Sequence, residues 1–549
     1  MLELLRNDIK KALRDLFVTY IFDANTINFN VTVSTNPEHG DFSSNVAFIL
    51  ASKVKEKPGV IAEILKEGIR STYIKKIEVA GKGFLNFFVS PLLFHNFLKK
   101  IIVDDILPAS NIGCGLKVQV EFVSANPTGP LHVGHGRGAS FGDTISRVLK
   151  ATGFNVEKEY YLNDRGTQIN NLGASIYYWY MDYYSEKIDF PLDGYKGEYI
   201  KVIAEKLAIE RGDSLLSMDS NEALSLCKEF GKISILEDIK KDLKNFNVDF
   251  DSYFSEYSLY EKNAVQQTLD ILKSKGYAYN EDNALWFKST AFGDDKDRVL
   301  IKSTGEYTYF ASDIAYHRDK FERGYDRLID IWGADHHGYV KRLKSAINAL
   351  GYDENKLVVI LIQMVSLKQG GKKISMSTRQ NEFIPLSWLI DEVGKDAARF
   401  FYVLRSCDTH FDFDIDLAKE KSTDNPVYYV QYAYVRVKSL LEKAKEKGIN
   451  FQLGENIELL LLEEEIKLIK KIYDFENTLK QAALNFEPSR IASYLIELSS
   501  LYHNYYYNYK IIDDENKLLT NARLNLSFAL SKIIVKALGL LGADAPERM

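Results

Sequence analysis

Cysteine is scarce in this chain, and its scarcity argues against two kinds of site. The three cysteines, Cys114, Cys227 and Cys407, lie too far apart for a zinc-binding motif, and an odd number does not suit a framework of paired disulfides. We therefore expect no structural metal, and we expect the reducing cytoplasm as the compartment.

Long apolar runs are also missing. No uninterrupted run approaches the roughly 18 residues of a membrane span. The first residues, MLELLRNDIKKALRDLF, include acidic side chains and place leucine and isoleucine at helical spacing, which predicts a packed helix and not a signal peptide. A membrane partner is therefore not expected.

A strong basic excess is absent as well, because the formal net charge is −6 at pH 7. Proteins that bind nucleic-acid duplexes usually carry a clear basic excess. A local basic stripe is nevertheless enough to bind RNA, so the mean charge does not exclude such a partner. The length of 549 residues suffices for about three to four domains with a large buried core.

The stretch 121–142, EFVSANPTGPLHVGHGRGASFG, is the most informative in the chain. It follows an apolar strand pattern and places His132 and His135 at the start of a predicted helix, where residues three apart share one face. Asn126 and Thr128, which precede them, are residue types that cap helices. The sequence therefore predicts a strand, a polar turn and a helix N-terminus.

Such a turn is suited to an anion, because free backbone N–H groups and the helix dipole attract negative charge. Gly134 and Gly136 would let a ligand approach the backbone closely. Two neutral imidazoles can donate hydrogen bonds to the charge on a phosphate under attack. Two alternatives stay open: the histidines ligate a metal, although no third ligand is nearby, or the segment is structural, with a capping Asn126 and packed histidines.

From about 115 to 390 the chain alternates apolar strands with helical periods, which predicts a doubly wound α/β sheet. Residues 328–340 indicate a strand that runs into a polar loop, and the apolar run 357–365 indicates another buried strand, interrupted by Gln363. Ligands of such sheets bind at the carboxyl ends of the strands. The loops at Asn126, Asp335 and Gly370 are therefore expected to converge on one crevice.

The third of these loops, KQGGKKISMSTRQN at 368–381, is rich in glycine, cations and hydroxyl groups. Gly370 and Gly371 predict a mobile segment, and Lys373 and Arg379 supply charge that can neutralise a departing pyrophosphate. The open alternative is a solvated hairpin, which a GGKK sequence more often forms.

The string SANPTGPLHVGH resembles the HIGH signature of class I aminoacyl-tRNA synthetases, in the version that arginyl-tRNA synthetases carry. The third loop resembles the KMSKS loop of this class, but residues 375–379 read SMSTR, with serine and threonine in place of its two lysines. The resemblance implies that His132, His135, Lys373 and Arg379 are catalytic. It implies that ATP is bound by His132, Gly134, His135, Asp335, His336, Met376 and Ser377.

A substrate guanidinium requires paired acceptors and an aromatic or apolar wall. Tyr309 and Asp313 are four residues apart and share a face if their segment is helical. The resemblance implies that these two hold the guanidinium of arginine, and that its α-amino and carboxylate end is bound by Ser124, Asn126 and His132, with Glu121 beside them. The alternative for Asp313 is a surface acid on a helix.

The first domain, predicted over about 1–105, has a helix over 46–54 and strands around 77–79 and 84–89. Its segments HGDFSSNVAF and GKGFLNFF are similar to the N-terminal additional domain of the same family. The resemblance implies that Phe84 and Asn86 contact the D-loop of tRNA. The alternative places Phe84 in the core and Asn86 in a turn.

The last domain, predicted over about 395–549, is helical by its apolar spacing. Residues 395–400 resemble the DALR signature of anticodon-binding domains, with Ala398 in place of the leucine. Tyrosines alternate with basic residues here, and exposed tyrosines can stack on anticodon bases. We expect tRNA contacts from Tyr432, Arg436, Tyr502 and Tyr505. The alternative is that these tyrosine stripes belong to the core.

The resemblance covers essentially the whole sequence. It implies a Rossmann-like α/β catalytic domain over about 115–390, an N-terminal α+β additional domain, a C-terminal all-α anticodon-binding bundle, and a helical connective insertion at about 165–295. The implied function is that of a monomeric arginine-tRNA ligase acting on L-arginine, ATP with Mg²⁺ and tRNA(Arg). Two alternatives remain: an inactive RNA-binding paralogue, because the signature loop lacks its lysines, and a synthetase for another amino acid.

Overall fold

A computed structural model of the chain describes residues 2–17, 23–34, 36–374 and 383–549. The N-terminal part joins four helices to an antiparallel sheet of order β1-β2-β4-β3. The predicted first helix is confirmed, and its Leu5, Ile9 and Leu13 are fully buried. The elements are α1 (Leu2–Leu16), β1 (Val31–Val33), β2 (Phe42–Ser44), α2 (Val46–Val54), α3 (Pro58–Gly68), β3 (Ile74–Ala80), β4 (Phe84–Val89) and α4 (Pro91–Val103).

The predicted α/β fold is confirmed by a five-stranded parallel sheet of order β12-β11-β5-β6-β7. The chain first adds strands on one side of β5 and later returns to its other side, so the topological switch point lies at β5, where ligands of such sheets bind. The strands and the helices that cover them are β5 (Lys117–Glu121), α5 (Val133–Ala151), β6 (Asn155–Leu162), β7 (Ser252–Ser255), α11 (Tyr309–Glu322), β11 (Arg327–Gly333), α12 (His337–Leu350) and β12 (Leu357–Ile362).

The insertion expected at about 165–295 is not one helical block. Its helices α6 (Thr167–Tyr183), α7 (Glu198–Arg211) and α8 (Ser220–Asn245) end before β7, which returns to the main sheet. A second piece follows, with an antiparallel sheet of order β10-β9-β8. Its elements are α9 (Tyr257–Glu261), α10 (Ala264–Ser274), β8 (Ala278–Glu281), β9 (Ala284–Phe287) and β10 (Arg298–Ile301).

The apolar run 357–365 is also divided. The run forms β12 and then breaks at Gln363. The Gln363 N–H donates to the Cys407 carbonyl, and the Gln363 carbonyl accepts from the Arg137 guanidinium. After the break the chain enters a separate sheet of order β14-β13-β15. Its strands are β13 (Val365–Gln369), β14 (Lys372–Ile374) and β15 (Phe411–Asp414).

The C-terminal part is helical, as predicted. Among the described residues, one helix is long and apolar enough to cross a membrane by length and composition alone, namely α20, but 72% of its apolar window is buried inside the protein. We therefore interpret it as the central core helix of this part. The helices are α13 (Leu386–Val393), α14 (Lys395–Leu404), α15 (Ile415–Lys419), α16 (Pro426–Glu446), α17 (Glu463–Tyr473), α18 (Phe475–Asn485), α19 (Ser489–Asn508) and α20 (Lys517–Leu541).

Candidate active site

The candidate site begins where β5 ends, at the switch point of the sheet. Val123 and Ser124 have positive φ angles of 67° and 41°, a region that a β-branched residue such as valine rarely enters. The Ser124 hydroxyl donates to the Glu121 carboxylate at 3.0 Å and accepts from the Tyr161 N–H at 3.1 Å. These bonds hold the strained turn in place in front of α5.

The two histidines lie together at the start of α5, as the sequence predicted. His132 is the N-cap residue, and its Nδ1 accepts from the Gly134 N–H at 3.1 Å. Nδ1 of His135 accepts from the His132 N–H at 3.2 Å, and the two rings stack with centroids 3.7 Å apart. The expected cap at Asn126 is therefore wrong, because an imidazole caps the helix and the Asn126 amide donates to Gln168 at 2.5 Å.

The protonation of both rings follows from this arrangement. Burial lowers the pKa of His132 and lowers that of His135 to about 3, so both imidazoles are neutral at pH 7. Because each Nδ1 accepts a backbone hydrogen bond, the ring proton of each is on Nε2. The site thus holds two neutral N–H donors beside a helix N-terminus, which suits an anionic ligand.

The structure also bears on the metal alternative and on the two glycines of this segment. No group of three or more His, Cys, Asp or Glu side chains in the described ranges is placed to hold a metal ion. Gly134 lies at the ligand side of the helix start, next to the His132 ring. Gly136 does not admit a ligand, because it is buried and a Cβ there would lie 2.6 Å from Leu386 and 3.0 Å from Tyr402. Its small size is needed for packing.

The residues that follow the signature loop contact the start of α5. Met376, Ser377 and Arg379 lie outside the described residues. Beyond the loop, the Ile384 carbonyl accepts from the Val133 N–H at 3.1 Å, and the Phe383 ring lies 6.0 Å from the His132 ring. Phe383 and Ile384 are therefore held next to the two histidines.

The amino end of the loop is a hairpin, so the expectation that Gly370 ends a strand of the main sheet is wrong. Gly370 and Gly371, with φ angles of 59° and 76°, form the two-residue turn between β13 and β14. The Gly370 N–H donates to Asp416 at 2.6 Å. Lys373 is on β14, exposed, with its ammonium 2.9 Å from Asp412, so the hairpin alternative holds for 365–374.

Asp335 and His336 follow the carboxyl end of β11. They form a short 3-10 turn (Ala334–His336) that leads into α12. Both side chains are exposed, 81% for Asp335 and 58% for His336, and neither is buried by the described residues. They are accessible to a ligand above the sheet.

The residues expected to bind arginine lie on α11 and at the end of β5. Tyr309 is the first residue of α11 and is exposed, whereas Asp313 lies one turn further and is screened from solvent. Asp313 accepts from the Tyr339 hydroxyl, and burial raises its pKa to about 6. The alternative of a surface acid is wrong.

Glu121 differs from Asp313 because it forms an ion pair. The fully buried Lys320 ammonium lies 2.5 Å from Glu121 and 2.7 Å from Asp330. Asp330 in turn contacts His317 at 2.7 Å. Lys320 thus offsets part of the charge of Glu121, whose carboxylate also holds the turn by accepting from Ser124.

Sequence reasoning missed a second unmatched carboxyl, Glu256. It lies directly after β7, is 4% exposed, and has a pKa raised to about 7 by burial and by the nearby charge of Asp313. Neither carboxyl forms an ion pair with a lysine or arginine in the described part of the chain. We call Asp313 and Glu256 the unpaired carboxyls. The strand-like sequence SYFS before Glu256 was the feature from which a carboxyl at a strand end could have been predicted.

The N-terminal candidates for RNA contact differ in accessibility. Phe84 is 45% exposed and its ring lies 4.9 Å from that of Phe48, so it is not a core residue. Asn86 is in strand β4 and only 4% exposed. Both parts of the alternative are wrong, and the Asn86 side chain is not presented to a partner.

The tyrosines of the C-terminal part also differ in accessibility. Tyr502 and Tyr505 are buried, and the Tyr505 hydroxyl donates to Glu465 at 3.0 Å, so the core alternative is correct for both. Tyr432 is half-buried under the Arg436 guanidinium, 4.5 Å from its ring centre. The sequence analysis missed Tyr507, which is 88% exposed on the same helix as the two buried tyrosines.

Three family profiles match successive parts of the chain. "Arginyl tRNA synthetase N terminal domain" matches residues 3–89, "tRNA synthetases class I (R), catalytic domain" matches 98–402, and "DALR anticodon binding domain" matches 430–549. The catalytic profile alone spans more than half of the sequence.

Known proteins agree with these profiles. An arginine–tRNA ligase from Citrifermentans bemidjiense is 46% identical over 554 residues, with all of both chains covered. A crystal structure from Campylobacter jejuni, named "putative arginyl t-RNA synthetase", is 34% identical with a TM-score of 0.76, and the match covers 84% of this chain and 100% of that one. The Thermus thermophilus arginyl-tRNA synthetase shares the fold, with a TM-score of 0.77 at 20% identity over the whole of both chains. With its neutral histidine pair, unpaired carboxyls and three matched domains, the chain belongs to the arginyl-tRNA synthetases.

Proposed function

We propose that this crevice activates L-arginine with ATP and that the enzyme transfers the arginyl group to tRNA(Arg). The observation that carries the proposal is a neutral histidine pair at the switch point, with two unpaired carboxyls near the carboxyl ends of the same parallel strands. The histidines suit a phosphate, and the carboxyls suit a cationic side chain. No observation favours the alternative of an inactive RNA-binding paralogue.

The unpaired carboxyls would bind the guanidinium of arginine. A guanidinium offers a planar fork of donors, and it would supply the cation that neither carboxyl finds among the lysines and arginines of the described residues. The Tyr339 hydroxyl orients Asp313, and the exposed ring of Tyr309 supplies a wall. Lysine would leave some of these acceptors without a hydrogen-bond donor, and citrulline would leave the carboxylates without a cation. Both losses favour arginine without a separate editing step.

The opposite end of the substrate would lie against the turn after β5. Ser124 and Asn126 offer polar groups there, and His132 adds its Nε2–H. We propose that Glu121, which forms an ion pair with Lys320, positions this turn and accepts from the α-amino group. The carboxylate of arginine is then free to face the α-phosphate of ATP.

The chemical step is an in-line displacement. A carboxylate oxygen of arginine bonds to the α-phosphorus while the bond to the pyrophosphate oxygen breaks, so that arginyl-adenylate and pyrophosphate form. Such a reaction needs positioning and charge stabilisation more than a protein acid or base. His132 and His135 would donate to the phosphate from Nε2, at the positive end of the α5 dipole.

We further propose that Gly134, Asp335, His336, Met376 and Ser377 contribute to the ATP site. Lys373 and Arg379 would neutralise the leaving pyrophosphate in place of the two signature lysines. In the present structure the Lys373 ammonium contacts Asp412, so it would have to exchange this partner for the phosphates. Magnesium would enter with ATP, with the phosphate oxygens among its ligands, and would supply further positive charge.

For tRNA(Arg), we propose contacts from Phe84 in the N-terminal part and from Tyr432, Arg436 and Tyr507 in the C-terminal part. Phe84 and Tyr507 offer exposed aromatic surface, and Arg436 places its guanidinium over the half-buried Tyr432 ring. Stacking of a splayed base on such a ring contributes about 1–3 kcal/mol. We also propose a cytoplasmic monomer, which the low cysteine content supports for the compartment.

The test is ATP–pyrophosphate exchange with each of the twenty amino acids, with and without tRNA. We expect exchange with arginine and with no other amino acid. Exchange with another amino acid would change the assigned substrate. If no amino acid supports exchange in the presence of tRNA, the enzyme does not form an adenylate and the proposal is wrong.

A further inference from the structure

A second buried charge cluster lies around Arg399 of α14, apart from the arginine pocket. The Arg399 guanidinium donates to the Asp143 carboxylate at 2.6 Å, to the Leu541 carbonyl at 2.7 Å and to the Phe246 carbonyl at 3.0 Å. Both Arg399 and Asp143 are fully buried. One side chain thus joins four elements: α14, α5, the turn after α8 and the end of α20.

Asp143 places this cluster on the helix that carries the histidines. It lies on α5, three turns beyond His132, and also contacts Arg147 at 2.7 Å and Lys158 at 3.2 Å. Burial alone would raise the pKa of Asp143, but the three surrounding cations lower it, so its carboxylate is ionised. A buried ion with this many directional partners fixes the position of its helix firmly.

Helix α14 contacts α5 at a second point, next to the histidines. The buried Tyr402 hydroxyl donates to the Val133 carbonyl at 2.8 Å, and Val133 is the first residue of α5 after the cap at His132. The same helix therefore holds α5 both at its start and three turns along. This arrangement ties the orientation of the histidines to the C-terminal helices.

We propose that Arg399 and Asp143 are a positioning pair for adenylate formation, which fixes α5 and its two histidines against α14 and the end of α20. Neither side chain is exposed to the crevice, so both act through His132 and His135 and not on the reacting atoms. The inference rests on the proposed function, because it is measured as an adenylation rate. Displacement of a catalytic group by about 1 Å can cost about 100-fold in rate.

Gly542 offers a way to move Arg399 without removing its charge. A Cβ at this position would overlap the Arg399 guanidinium. Gly542 also has a φ of 72°, which disfavours other residues. Gly448 is a matched control, because it follows helix α16 with a φ of 68° and a Cβ there meets nothing within 4 Å.

The experiment compares single-turnover arginyl-adenylate formation by the full-length enzyme, at saturating ATP, arginine and tRNA, for Arg399→Lys, Gly542→Ala and Gly448→Ala. The rate is expressed per active site, from the amplitude of the adenylate burst. We expect a loss of about tenfold or more for the first two variants, an unchanged arginine KM, and a wild-type rate for Gly448→Ala. The double variant Asp143→Asn, Arg399→Lys should be no slower than the slower single variant, because the two residues act as one unit.

A merely structural role would lower the melting temperature or the burst amplitude and leave the rate per active site unchanged. If Arg399→Lys and Gly542→Ala both adenylate at the rate of Gly448→Ala, the inference is wrong. If Arg399→Lys does not fold, Gly542→Ala decides alone. A wild-type enzyme that forms no adenylate would instead contradict the proposed function.

Discussion

Replacing Asp313 with asparagine removes one of the two unpaired carboxyls and changes little else in the pocket. Asparagine has nearly the same shape, and its amide oxygen can still accept from the Tyr339 hydroxyl. Asp313 forms no ion pair with a lysine or arginine in the described ranges, so the fold does not lose a salt bridge. Burial raises the pKa of Asp313 to about 6, so its ionised form contributes no stability to the fold. We therefore expect Asp313→Asn to fold normally.

The size of the effect follows from the charge that the guanidinium loses. A hydrogen bond between charged groups contributes about 1.5–3 kcal/mol, and each 1.4 kcal/mol is about tenfold in affinity. Arginine should therefore bind about 10- to 100-fold more weakly, with Glu256 supplying the remaining anion. The guanidinium is remote from the reacting phosphate, so kcat at saturating arginine should change much less than KM.

The assay is an arginine titration of ATP–pyrophosphate exchange, with direct calorimetric titration of arginine as a second measurement. Glu322→Gln is the matched control, because Glu322 is on the same helix α11, is half exposed, and pairs with Arg318 on the surface. Its arginine KM should equal that of the wild type. If Asp313→Asn also binds arginine with wild-type affinity, Asp313 does not hold the guanidinium and this reasoning is refuted.

Three further predictions test other parts of the site. Burial raises the pKa values of the two unpaired carboxyls, Asp313 and Glu256, to about 6 and about 7. A bound guanidinium favours their ionised forms, so arginine binding releases protons and the arginine KM should fall as pH rises from 5.5 to 7.5; a flat KM profile would contradict this. His132→Ala or His135→Ala should lower the adenylation kcat by about 100-fold or more with little change in the arginine KM, and exchange kinetics like those of the exposed control His39→Ala would exclude the role. The double variant Lys373→Ala, Arg379→Ala should slow adenylation more than either single variant while arginine affinity is kept; wild-type adenylation by the double variant would mean that the pyrophosphate is neutralised elsewhere.

The parts of the fold that sequence predicted are those that local patterns determine. The first helix, the strand and helix around the histidines, and the helical C-terminal part all follow from apolar spacing and from cap and turn residues. The pairing of His132 with His135 was predictable because three residues along a helix bring side chains to one face. The identity of the cap was not, because imidazole is an unusual capping group and Asn126 was the ordinary choice.

Burial was harder to predict than secondary structure. Tyr502, Tyr505 and Tyr507 lie on one helix, and the apolar spacing around them did not show that the first two face the core while the third is exposed. The same problem affected Phe84 and Asn86 of strand β4. The alternative to RNA contact placed Phe84 in the core and Asn86 in a turn, but Phe84 is exposed and Asn86 is buried in the strand. Which face of an element packs is determined by tertiary contacts that a single sequence does not display.

The second unpaired carboxyl was missed for a topological reason. Strand β7 has four residues and follows three long helices, so it was assigned to the helical insertion. Only its pairing with β6 brings Glu256 to the same edge of the sheet as Ser124 and Asp313. Short strands of this kind are specified by their partners and not by their own periodicity.

The most direct test of the account is aminoacylation of tRNA, measured as radioactive arginine that becomes attached to tRNA(Arg) in the presence of ATP and Mg²⁺. We expect that the enzyme attaches arginine to the terminal adenosine of the tRNA, that it requires ATP, and that it attaches neither lysine nor citrulline. Failure to charge tRNA(Arg) with arginine, or charging with a different amino acid, would contradict it.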